Sequence, residues 1–143
     1  MLGRALPALC CLWAFAGGCA GPPAPAAGDQ FDGTYRGESH VVRGDGGFVC
    51  APRDALASVT IRNGRFDYVY TNYELAAPAP IPVQIAADGS FSGQIQYAAD
   101  AYMRWGGTII TTWAMVRGRI AGKTLDATVS DYRCARQLQL QIG

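Results

Sequence analysis

His40 is the only histidine in the chain, and Glu38 precedes it by two residues. In an extended strand that spacing puts both side chains on one face, as a general base and its orienting carboxylate would stand. No serine or cysteine nucleophile can be placed beside them from the sequence, so the pair reads as a solvated strand face. A single histidine excludes a two-histidine metal site, and any zinc reading would depend on Cys50, Cys134 or carboxylates. No catalytic constellation, metal or cofactor is expected.

Two further motifs are weaker than they look. Gly118 to Thr124 has the residue types of a phosphate-binding loop, but it is one residue short and lies between strand-like runs instead of before a helix. Arg43-Gly44-Asp45 matches the tripeptide that adhesion receptors read, in a glycine-rich loop where Gly and Asp are ordinary turn residues.

The aromatic and apolar side chains say more. Phe66, Tyr68 and Tyr70 alternate along one face, and Tyr97, Tyr102, Trp105 and Trp113 come later. Such a set packs a core or lines a pocket for a small apolar or sugar ligand. Ile109 to Val116, which includes Trp113 and Met115, is apolar on both faces, so it is buried on both sides or meets a partner. The candidate ligand or partner surface is therefore Tyr68, Tyr70, Ile109, Trp113 and Met115. A solvent-open cavity lined by Tyr68, Tyr70 and Trp113 would favour ligand binding. A filled interior with an exposed patch along Ile109 to Val116 would favour a protein partner.

The N-terminus carries an address. Met1 to Arg4 is a short, singly charged start, Ala5 to Ala16 an apolar run, and Gly17 and Gly18 are small, the order of a signal peptide over residues 1–18. The apolar run is shorter than the roughly 20 residues that span a bilayer. Ala16-Gly17-Gly18-Cys19 resembles the lipobox of bacterial lipoproteins, departing from it at Ala16, where Leu is commonest. The resemblance implies that Cys19 is acylated and becomes the new N-terminus. Ala20, where Asp would signal inner-membrane retention, then implies an outer-membrane lipoprotein facing the periplasm. An ordinary cut after Ala14-Phe15-Ala16 would instead give a soluble periplasmic or secreted chain.

Cysteine counting bears on both. Cys10 and Cys11 leave with the signal, so Cys19, Cys50 and Cys134 remain. With Cys19 acylated, Cys50 and Cys134 form an even pair able to make one disulfide in an oxidising compartment. Gly21 to Gly28 is rich in Pro and Ala and reads as part of a tether over residues 19–30, ahead of a single β domain over residues 31–143.

The elements of that domain follow a period of two. Leu138, Leu140 and Ile142 alternate with Gln137, Gln139 and Gln141; Val59 and Ile61, then Ile81, Val83 and Ile85, then Phe91, Ile95 and Tyr97 alternate likewise. Asn63-Gly64, Asp88-Gly89 and Ala121 to Thr124 are the turn signals between them. A loose Gly-x-apolar-x-Gly pattern starts at Gly33, Gly89 and Gly118 and suggests two-strand units. The expected fold is all-β, an antiparallel up-and-down barrel or flattened sandwich of about eight strands, similar to lipocalin- and avidin-type proteins in shape only.

Charge narrows the function. Removing residues 1–18 takes Arg4 and leaves eleven basic against eleven acidic residues, so no basic excess invites nucleic acid. The expected function is a non-enzymatic cell-envelope lipoprotein, held to the membrane by its lipid, whose β domain binds an envelope protein or small ligand. An inhibitor of a periplasmic hydrolase and an enzyme of unknown class are the alternatives.

Overall fold

Tight turns dictate the architecture. The computed structural model describes residues 25–44, 50, 54–70, 79–100 and 109–143. Within them run β1 (Gly33–Arg43), β2 (Asp54–Ile61), β3 (Arg65–Tyr70), β4 (Ala79–Ile85), β5 (Ser90–Asp100), β6 (Ile109–Ala121), β7 (Thr124–Ser130) and β8 (Ala135–Ile142). All pairings are antiparallel, in the hydrogen-bonded order β2-β1-β8-β7-β6-β5-β4-β3. The sheet is a nearly closed up-and-down barrel, with no α-helix among the described residues.

The β2–β3, β4–β5 and β6–β7 turns gather at one end. Asn63 and Gly64 carry φ of 53° and 65°, the left-handed pair that a two-residue hairpin turn demands. Asp32 caps this turn, its carboxylate accepting the amides of Asn63 at 2.7 Å and Gly64 at 3.1 Å. In the next turn Asp88 accepts from the hydroxyl and amide of Ser90, bonds that hold its carboxyl below the usual carboxylate range.

Residues 25–32 cross the same end. Ala27 donates its amide to Ile85 at 3.0 Å and Ala87 to Pro25 at 2.9 Å, while Phe31 enters the core. Pro25 to Gln30, which composition assigns to the tether, thus lies against this end of the sheet, with Ala27 half-buried and its neighbours exposed.

The period-two reading holds strand by strand. Val59, Ile61, Ile81, Val83, Ile85, Phe91, Tyr97, Leu138 and Leu140 point inward and are buried, while Gln137, Gln139 and Gln141 are exposed. Each fully buried Leu or Ile contributes about 1.5 to 3 kcal/mol from burial. Gly37 lies where a Cβ would strike the Gln139 carbonyl of β8, so only glycine lets β1 coil this tightly over its neighbour. The Gly-x-apolar-x-Gly pattern is not a structural repeat: it opens β1 and β5 but closes β6.

Closure is incomplete at one seam. Among the described residues β2 and β3 share only the Arg62–Arg65 bridge beside their turn, and no ladder follows it there. The β4–β5 ladder is also short, confined to Gln84–Ser92 and Ile85–Phe91. Ile85 sends its amide to Gly64, on the β3 side, so the alternate positions Pro80 and Pro82 face β5 without an N–H to give.

Candidate functional site

The end opposite the tight turns, the mouth, carries the chain's unusual chemistry. There the β7–β8 connection, residues 131–134, is fastened from several directions. Asp131, buried, turns one carboxylate oxygen to the amides of Arg133 and Cys134 and the other to the phenols of Tyr70 and Tyr97. Tyr70 is at the end of β3 and Tyr97 is on β5, so this carboxylate ties the β7–β8 connection across the barrel to the opposite wall. Burial first, then the hydrogen bond to Asp131, pushes the Tyr70 phenol far above its ordinary range, so it donates as a neutral hydroxyl.

Cys50 and Cys134 are joined by a disulfide with their Cα atoms 5.7 Å apart, the pairing that cysteine counting anticipates. Arg136 donates to Ser39 Oγ at 2.8 Å and to the Cys50 carbonyl at 3.2 Å, bracing that bridge. Arg43 donates to the Asp131 carbonyl at 2.9 Å. It reaches there because the β1–β8 register shifts between Val41 and Arg43, a bulge that redirects the strand end.

Outside the barrel, β1 and β2 place a second group. His40 pairs in register with Asp54, and both of its ring nitrogens meet carboxylates: Nδ1 to Asp54 Oδ1 at 2.8 Å and Nε2 to Glu38 Oε2 at 3.1 Å. The Asp54 hydrogen bond is the main cause that raises His40 above the ordinary imidazole range, with Glu38 adding to it. The Glu38–His40 pairing on one face is as the spacing predicts; the third member, Asp54, comes from the neighbouring strand. Among the described residues no serine or cysteine nucleophile contacts His40, and no cluster of three or more His, Cys, Asp or Glu could hold a metal ion. Leu56, two residues along β2 on the same face, is 90% exposed.

The five residues of the expected ligand or partner surface do not form one wall. Tyr70 is buried and Tyr68 half-buried, both facing the core, where burial raises the Tyr68 phenol against the opposing charge of Arg136. Trp113 lies on the outer face, 48% exposed, paired in register with Gln96, and so does not line a pocket with the two tyrosines. Met115 is half-buried on that outer face, where Arg117 approaches its sulfur at 3.8 Å. Ile109 opens β6, but its side chain lies outside the described residues, as does Cys19. The run that looks apolar on both faces resolves into Ala114 and Val116 inward and Trp113 outward.

Aspartate 131 and Asp54 escape sequence reasoning because their partners are 61 and 14 residues away. The signal for Asp131 is local and faint: an aspartate three residues before a cysteine, able to cap its own turn. No protein-family model, curated protein or solved structure matches the chain.

Proposed function

We propose that this chain is a non-enzymatic envelope lipoprotein, anchored through Cys19, whose β barrel binds a protein partner on its outer surface. One contrast carries the reading. Inner positions such as Tyr35, Ile81, Leu125 and Leu140 are packed with almost no exposure, whereas Leu56, Val69 and Trp113 stand exposed outside. Side chains that could have lined a ligand cavity are spent on the core, and large apolar groups face solvent where a partner could cover them. The lipobox-like Ala16 to Cys19 and the Ala20 that follows support an outer-membrane address facing the periplasm.

Photo-crosslinking tests this in the cell envelope. A photoreactive residue at position 56 or 113 is expected to give one discrete adduct that position 139 does not. Absence of an adduct at both positions would sink the reading. Mass spectrometry of the mature N-terminus checks the anchor: an acylated Cys19 is expected, and an unmodified chain beginning at Gly17 would refute it.

A further inference from the structure

Among the described residues β2 forms a ladder along one side only. Its ladder with β1 runs from Asp54 to Ile61, and among the described residues its other edge meets only the Arg62–Arg65 bridge at the turn. A bare edge presents alternating N–H and C=O groups, which another extended chain can satisfy. Natural barrels protect such edges by pairing or charge, yet this one carries at its middle Leu56, the most exposed large apolar side chain among the described residues.

Two hollows flank Leu56 on the β1 side. One of about 500 Å³ is lined by Arg36, Gly37, Glu38, Leu56, Ala57 and Ser58. The other, about 340 Å³, lies over Glu38, His40, Asp54, Ala55 and Leu56. Gly37, which has no side chain, lies on the floor of the larger one.

Charge is graded along β2 itself. Toward the mouth stands the carboxylate of Asp54, held by His40 of the paired strand β1; toward the turn stand Arg62 and Arg65, both exposed. β2 runs from mouth to turn, so an antiparallel strand would run from turn to mouth. Electrostatic complementarity then fixes its polarity: acidic near its start, apolar opposite Leu56, basic at its end beside Asp54.

We propose that the free edge of β2 accepts an extended segment of another protein as an added antiparallel strand of that charge order. Main-chain hydrogen bonds supply the affinity and Leu56 with the Asp54 carboxylate the selectivity. This rests on the partner-binding reading and names the site and the chemistry of the partner.

The probe is a fluorescein-labelled seven-residue peptide with Glu first, Val at the fifth position and Lys last, titrated by anisotropy against the purified mature protein. Two controls accompany it: the same residues in reverse order, and the peptide N-methylated at alternate positions. The forward peptide is expected to bind at least tenfold more tightly than either, and Leu56→Lys to weaken it about tenfold with the thermal midpoint unchanged. Equal binding of the N-methylated peptide would overturn strand addition, since contact without main-chain bonds would suffice. Equal binding of the reversed peptide would overturn the charge order. Self-association of the free protein that Leu56→Lys abolishes would assign the edge to a second copy and overturn the proposal. Failure of every peptide, with crosslinking from position 56 intact, would overturn strand addition while leaving the partner reading in place.

Discussion

Tyr70 and Asp131 are hydrogen-bonded across the mouth of the barrel, both side chains buried, 61 residues apart in the chain. The bond joins the last residue of β3 to the connection before β8, two segments that do not share a ladder. Tyr97 adds a longer contact to the same oxygen at 3.3 Å.

Removing that acceptor should be costly. Asp131→Ala removes the acceptor that two phenols and two amides share, and each lost buried hydrogen bond costs about 1 to 3 kcal/mol without adding fully. A loss of about 3 kcal/mol is expected by denaturant unfolding, against about 1 kcal/mol for Tyr97→Phe. A double-mutant cycle of Asp131→Ala with Tyr70→Phe should show strong non-additivity. Additive losses would mean that the two groups act separately.

The disulfide closes a chain separation of 84 residues. Chain-entropy reasoning gives such a link about 4 to 5 kcal/mol. Paired Cys50→Ser and Cys134→Ser substitution should lower stability by an amount of that order, with reduction of the wild type giving the same midpoint. A loss below about 1 kcal/mol would show that Arg43 and Arg136 brace the mouth without the bridge.

The His40 cluster makes stability depend on pH in a definite direction. Its folded value is raised, so the stabilisation is fully present below the ordinary imidazole value, about 6.5, and is lost as pH rises through the raised folded value. The thermal midpoint of wild type minus that of His40→Gln should be positive at low pH, shrink as pH rises and weaken in salt. A difference that grows with pH would contradict the pairing with Asp54.

Backbone closeness gives the fourth test. Gly37→Ala drives a methyl group against the Gln139 carbonyl and should destabilise by about 1 to 3 kcal/mol. Gly122→Ala, at φ 59° with nothing within 4 Å of its Cβ, meets only the left-handed backbone penalty of about 1 kcal/mol. Equal losses at the two positions would remove the argument for tight coiling of β1.

What could be read ahead of the structure was whatever is local or one-sided. Leu138, Leu140 and the interleaved glutamines announce a strand because one face is buried and the other wet. Asn63-Gly64 announces its turn because few residue pairs tolerate that backbone. Trp113 was misleading: with apolar neighbours on both sides its parity is hidden, and only the inward placement of Ala114 and Val116 reveals that it points out. The Tyr70–Asp131 and His40–Asp54 contacts depend on which strands become neighbours, which no short window of sequence encodes.

The segment leading into β1 also orients the molecule. Residues 25–32 lie across the turn end, and only five residues separate Pro25 from Cys19, a reach of roughly 20 Å when fully extended. With Cys19 in the bilayer as proposed, the turns face the lipid headgroups at close range. The disulfide, the Asp131 knot and the acidic end of β2 are then held at the far pole, pointing into the periplasmic space.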